Sequence, residues 1–245
     1  MATSDAGHLL VTFPPLTLAW LLRRENRFRA RARLEDGREV AVHVPNSGRL
    51  REVFGRPRRA WLAFAANPRR KTPYDLQVVE GDGGVLISVD ARLPNRLFAA
   101  ALRQGVFDDW LGPAGGVWRV RPEPPYGAGR LDFLLEGPDA LRWWIETKSI
   151  TLVEDGVALF PDAPTARGRR HLADLCRLAR AGDRAAVVFI AQRSDPVAFA
   201  PHSADPDFPA ALRAAVACGV VVRAYRCTVT LQGIGELQPM PVWEV

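Results

Sequence analysis

Lysine is nearly missing from this chain: of 33 basic residues, 31 are arginine and only Lys71 and Lys148 are lysine. Cysteine is scarce as well. Cys176, Cys218 and Cys227 are odd in number, lie in apolar surroundings and lack zinc-like spacing. That argues against a disulfide framework and structural zinc, and makes the cytoplasm the default compartment. The four histidines are scattered and form no ligand cluster. No apolar run is long enough to span a bilayer. The stretch Leu9 to Leu22 carries Pro14 and Pro15, follows Asp5 instead of a basic leader, and reads as an opening strand. There is no internal repeat and no low-complexity tract.

What is present is a chain of 245 residues with 48% hydrophobic content, enough for a sizeable core and suited to two small domains. Its net charge of +6 is polarised. Residues 1 to 85 hold 15 basic and 9 acidic side chains, whereas residues 86 to 245 hold 18 of each. A basic region joined to a neutral one fits a polyanion partner, because Lys and Arg that neutralise phosphates release counterions. An arginine-rich composition without any nucleic-acid contact is the competing reading.

Arg27, Arg29, Arg31 and Arg33 alternate with Phe28, Ala30, Ala32 and Leu34, which predicts a half-buried strand with an outward comb of arginines. Asp36-Gly37 supplies a turn and Glu39 to Val44 a second strand. Further strands are expected at Arg59 to Phe64, Asp75 to Val79 and Val85 to Val89. About five short strands without a helix suggest a small barrel of OB type over residues 1–85. Beyond it, a helix is expected from Pro94-Asn95 through Trp110 to Gly112-Pro113. Strands follow at Val117 to Arg121, Arg130 to Leu135 and Leu141 to Leu152. A helix from Thr165 to Ala181, a buried strand from Ala185 to Ala191, a helix from Pro206 to Cys218 and a strand from Val220 to Tyr225 complete an α/β unit over residues 86–245.

Glu146 and Lys148 stand two apart in a predicted strand, so both leave one face while Thr147 leaves the other. Pairing with the preceding strand would bring Asp132 near Glu146, placing two carboxylates and an amine in one patch. Mg²⁺ or Mn²⁺ is held by such carboxylates with water and phosphate oxygens, and can activate water for attack on phosphorus. A solvated Glu-Lys pair on an open sheet is the plainer alternative. A lysine at 148, in a chain that otherwise writes arginine, points to a compact, titratable ammonium.

Six segments, in order, carry a family likeness: Arg24 to Phe28, Pro45-Asn46-Ser47-Gly48, Asn67 to Lys71, Arg130 to Phe133, Glu146 to Leu152 and Phe160 to Gly168. Together they resemble the sugar fermentation stimulation protein A (SfsA) family over nearly the full length. The resemblance implies an N-terminal OB-fold, a C-terminal domain similar to the PD-(D/E)xK nucleases, DNA binding, and a regulatory part in sugar use. It makes Asp132, Glu146 and Lys148 the nuclease-like triad, with Asp132 and Glu146 as metal ligands. The chain departs from the family pattern at Ala100, where a glutamate is usual, at Glu25-Asn26, where an aromatic and a basic residue are usual, and at Val44, where a cysteine is usual.

Other candidates are contacts to nucleic acid. Arg27, Arg29, Arg31, Arg69, Arg70 and Lys71 could track a backbone, with Trp61 and Tyr74 stacking bases. Asn46 and Ser47 join them through the family likeness. Arg167, Arg170 and His171, near a helix start, read either as phosphate contacts or as a solvated helix face. Asp162 reads either as returning to the metal edge or as a helix cap. The expected activity is DNA binding with little sequence specificity. A metal-dependent nuclease acting on DNA or RNA is the alternative.

Overall fold

The structure, a computed structural model, describes residues 9–112 and 118–245. Asp5, Pro113 and Val117, used above, lie outside the described residues. In chain order the first elements are β1 (Val11–Thr12), β2 (Leu16–Asn26), β3 (Arg29–Leu34), β4 (Glu39–His43), α1 (Arg51–Phe54), β5 (Arg58–Phe64), β6 (Tyr74–Glu80) and β7 (Leu86–Ser88). Strands β2 to β6 form a barrel in the order β4-β3-β2-β5-β6, closed by parallel pairing of β4 with β6, and β7 extends it. The period-two reading holds for β3: Ala30, Ala32 and Leu34 are buried in the barrel core with Val42, Leu62 and Leu76. Leu50 and Val53 seal the barrel through α1. The opening stretch is divided. Pro14-Pro15 interrupt it, and β1 pairs with a strand far along the chain.

The second unit runs α2 (Leu93–Arg103), α3 (Asp108–Leu111), β8 (Arg119–Pro122), β9 (Pro125–Tyr126), β10 (Gly129–Arg130), β11 (Phe133–Glu136), β12 (Arg142–Ile150), β13 (Val153–Glu154), β14 (Val157–Phe160), α4 (Ala166–Arg180), β15 (Arg184–Ala191), β16 (Ala198–Pro201), α5 (Phe208–Ala217), β17 (Val221–Val229) and β18 (Gly233–Met240). Its seven-stranded sheet has the order β1-β18-β17-β15-β12-β11-β8, with β12, β15 and β17 parallel. The single helix expected to Trp110 is two, because Gly105 takes a left-handed φ of 72° that ends α2.

Two cores sandwich this sheet. Leu97, Phe98 and Ala101 of α2 pack with Trp143 and Ile145 of β12, and with Trp61 and Val78 of the barrel. Leu172, Leu175 and Leu178 of α4 and Leu212 of α5 pack on the opposite face with Trp144 and Phe189. Thr165 caps α4 by accepting a hydrogen bond from Gly168 N at 3.0 Å. The cysteine reading needs correction: Cys176 and Cys218 form a disulfide with Cα atoms 5.4 Å apart. Packing of α4 beside α5 brings the two together. Cys227 stays free and buried, where burial pushes its thiol up. No helix among the described residues is long and apolar enough to cross a membrane.

Candidate functional site

Strand alternation puts Trp144, Glu146 and Lys148 on the α4 face of β12, and Ile145 and Thr147 on the α2 face. Glu146 Oε1 contacts both Lys148 Nζ and Nδ1 of His171, which reaches down from α4. These groups are deep in the sandwich. The Glu146 and His171 side chains are each 4% exposed, and that of Lys148 13%. Burial pushes the Glu146 carboxyl up, but Lys148 and His171 outweigh it and hold the group below its ordinary value.

Asp132 stands just before β11, one step past the Phe133↔Ile145 pair. It does not join Glu146 and Lys148 in a hydrogen-bonded patch. Its Oδ2 accepts from Thr147 N at 2.7 Å and from Thr147 Oγ1 at 3.0 Å, and its Oδ1 accepts from Asn95 Nδ2 at 3.0 Å. Thr147 Oγ1 also lies 2.6 Å from Asn95 Oδ1. Burial first, then the negative charge of Glu146, push the Asp132 carboxyl above the ordinary carboxylate range. The two carboxylates thus approach the rim of β12 from opposite sides and sense one another's charge.

The donor set suits a hard divalent cation. Among the described residues no cluster of three or more His, Cys, Asp or Glu is arranged as a metal cage. Mg²⁺-type sites commonly use one or two carboxylates and complete the shell with water and phosphate oxygens. Glu146 Oε2 is buried without any hydrogen-bond partner, an oxygen whose desolvation nothing in the protein offsets. A cation held between it and Asp132 would satisfy that oxygen and relieve the mutual repulsion.

The expected nucleic-acid residues fall into two groups. Arg29 and Arg31 both pair with Glu25, at 2.7 and 2.8 Å, and Arg70 is committed to Asp75. Asn46 donates to Val89 O at 2.9 Å and accepts from Gly48 N at 2.8 Å, so it shapes its own loop. His171 is buried on Glu146 instead of standing at the surface. Arg27, Ser47, Arg69, Lys71, Arg167 and Arg170 are exposed. Arg27 shares an open groove of about 670 Å³ with Arg49, Arg51 and Ser47, and Ala163 and Pro164 close its far side just ahead of α4. Trp61 is buried beneath α2 and cannot stack a base.

Asp162 does not cap α4, which Thr165 caps instead. Asp162 accepts from Leu50 N at 3.1 Å, beneath the 46–50 loop, and a Cβ on Gly48 would stand 2.5 Å from its Oδ2, so any larger residue there would displace the Asp162 carboxylate.

Four residues escaped the sequence reading. Arg24 donates to the carbonyls of Asn26, Arg27, Asn46, Gly48 and Arg49, at 2.5 to 3.3 Å, and so organises the loop that lines the groove. Asn95 and Thr147 brace Asp132; their places beside Pro94 and between Glu146 and Lys148 were the available signals. Glu52 of α1 has both oxygens buried without a hydrogen-bond partner, although Thr151 and Arg193 stand nearby.

A closed OB-type barrel joined to an α/β sandwich with an E-x-K strand defines a class of two-part proteins. The chain matches the SfsA N-terminal OB domain over residues 22–89 and the sugar fermentation stimulation protein RE domain over residues 92–233. It belongs to the sugar fermentation stimulation protein family. A sugar fermentation stimulation protein homolog of Geobacter sulfurreducens is 42% identical, over 93% of this chain and 96% of that one. Another from Symbiobacterium thermophilum is 44% identical, over 89% and 92%. The solved structure of Pyrococcus furiosus SfsA in complex with Ca²⁺ superposes with a TM-score of 0.85 at 32% identity, covering 96% of this chain and 99% of the other.

Proposed function

We propose that this protein binds DNA with little sequence specificity through the barrel and its groove, and that the E-x-K strand carries a divalent-metal phosphodiesterase site. The observation that carries the reading is the buried, unpartnered Glu146 Oε2 beside a second carboxylate and an ammonium. The Ca²⁺ in the Pyrococcus relative supports a divalent cation, with Mg²⁺ or Mn²⁺ as the working ions. Asp132 and Glu146 would hold the ion, which when bound polarises a phosphoryl oxygen and acidifies water. Lys148 would orient the attacking water or steady the negative charge that develops on the phosphoryl oxygens. His171 fixes the Glu146 rotamer, and Asn95 and Thr147 fix that of Asp132. Arg27, Arg49 and Arg51 would grip phosphates in the groove, leading the strand toward the start of α4, where Arg167 stands. RNA offers the same phosphodiester chemistry.

The test is incubation of labelled DNA and RNA with Mg²⁺, Mn²⁺ or EDTA. Cleavage is expected with metal and not with EDTA, falling about a hundredfold or more in Lys148→Ala and Asp132→Ala. Cleavage untouched by both substitutions would remove the site assignment. Ala100, buried in α2 where the family pattern has glutamate, favours a second reading: a binding protein that regulates sugar use on a nuclease frame without turnover. Salt-sensitive binding with no cleavage under any metal selects that reading.

A further inference from the structure

The barrel presents a feature that the arginine comb concealed. Cα partners run in one row across four strands, from Arg29 to His43, His43 to Asp75 and Asp75 to Ala63. At strand spacings near 4.8 Å this row is about 15 Å long. Phe28 stands at one end, tied to the sheet where its carbonyl accepts from Val44 N at 2.9 Å. Phe64 stands at the other, braced edge-on by Tyr74 with ring centroids 5.6 Å apart. Phe28 is 49% exposed and Phe64 62%, among the most exposed large apolar side chains described. Leaving one phenyl ring in water just before β3 and another at the end of β5 gains nothing for folding.

The charges around these rings differ from those of the comb. Arg29 and Arg31 are occupied by Glu25. Arg27 beside Phe28, and Arg69 and Lys71 in the loop after Phe64, are exposed, and no carboxylate pairs with them among the described ion pairs. Exposed rings interleaved with unpaired cations complement a strand whose bases show their faces and whose phosphates lie alongside. A duplex hides those faces in its own stack.

Resting on the nucleic-acid reading above, we propose that a single-stranded nucleic acid lies along this row of the barrel, with Phe28 and Phe64 stacking unpaired bases at its two ends while Arg27, Arg69 and Lys71 hold the phosphates beside them. The ligand class is therefore narrower than DNA in general: a single-stranded segment or an unpaired junction, bound without hydrogen-bond readout of the bases.

Fluorescence anisotropy with labelled oligothymidylate, oligouridylate, a base-free phosphodiester of equal length and a duplex tests this directly. The wild-type chain is expected to bind oligothymidylate about tenfold or more tighter than the base-free strand, the order that one or two stacked bases supply. Phe28→Ala combined with Phe64→Ala should erase that preference while leaving base-free binding in place, and Phe28→Trp with Phe64→Trp should restore it. Both positions are exposed, so circular dichroism should be unchanged. The proposal is overturned if the double alanine variant binds oligothymidylate as tightly as wild type while Arg27→Ala weakens every nucleic acid; the general binding reading then survives alone. If none of the four probes is bound at low salt, both fall together. A preference for uridylate over thymidylate upholds the stacking site and makes RNA its source.

Discussion

Carboxylate and cation meet in both halves of this molecule, but in different solvents. On the barrel, Glu25 holds Arg29 and Arg31 with side chains 24 to 35% exposed. In the sheet, Glu146 holds Lys148 and His171 with side chains 4 to 13% exposed. Water screens the first set, and each partner can be lost with little consequence. The second set has no such refuge, because removing one partner strands the other in a medium that cannot solvate it. The same pair types therefore act as surface trim in one place and as a poised, high-energy arrangement in the other.

Glu146→Ala is the sharpest way to break this comparison. It leaves the Lys148 ammonium without its counter-charge and should cost about 3 kcal/mol in urea unfolding, whereas the doubly substituted Glu146→Met, Lys148→Met chain should recover most of that loss. Equal destabilisation in both variants would mean that packing, not charge, governs the site.

A smaller effect is expected at Glu52, whose carboxyl burial lifts above its ordinary value. A group that holds its proton more tightly when folded stabilises the protein below the unfolded pKa, and that contribution is lost as pH rises through the folded one. Glu52→Gln should therefore raise the thermal midpoint relative to wild type at pH 8 and much less at pH 4. An offset of the same size at both pH values would show that ionisation is irrelevant there.

The smallest effect belongs to the barrel surface: Arg31→Ala should leave the urea midpoint unchanged within error. A clear drop would place the Glu25 pairs with the buried set.

These contrasts also separate what was legible in the sequence from what was not. Period two in Arg29 to Leu34 and the one-sided apolar spacing of Leu172, Leu175 and Leu178 are local, and both elements formed as expected. So did the common face of Glu146 and Lys148, since it follows from spacing alone. The neutralisation of the comb was not legible. Glu25 lies where the β2–β3 register shifts between Arg24 and Asn26, and a bulge redirects a side chain in a way alternation cannot foresee. The disulfide joins positions 42 residues apart through helix packing, and His171 finds Glu146 from 25 residues away. Strand β18 was missed because Gly233, Gly235 and Pro239 make it read as a loop, although β17 and β1 pair along its two edges. Phe28 and Phe64 fall in step with buried neighbours, and only the ends of their strands leave them in water.

The pairing of β1 with β18 carries one more consequence. The polypeptide touches the large sheet, departs to wind the barrel, and comes back through α2, so two covalent crossings join the halves. A domain on a single linker swings like a flag. Here the barrel is a closed loop of chain pinned at both feet, and pinning removes most of the orientations a lone tether would allow. A strand bound at the barrel as proposed above would therefore be presented to the sheet at a set angle and distance, with little searching left to do.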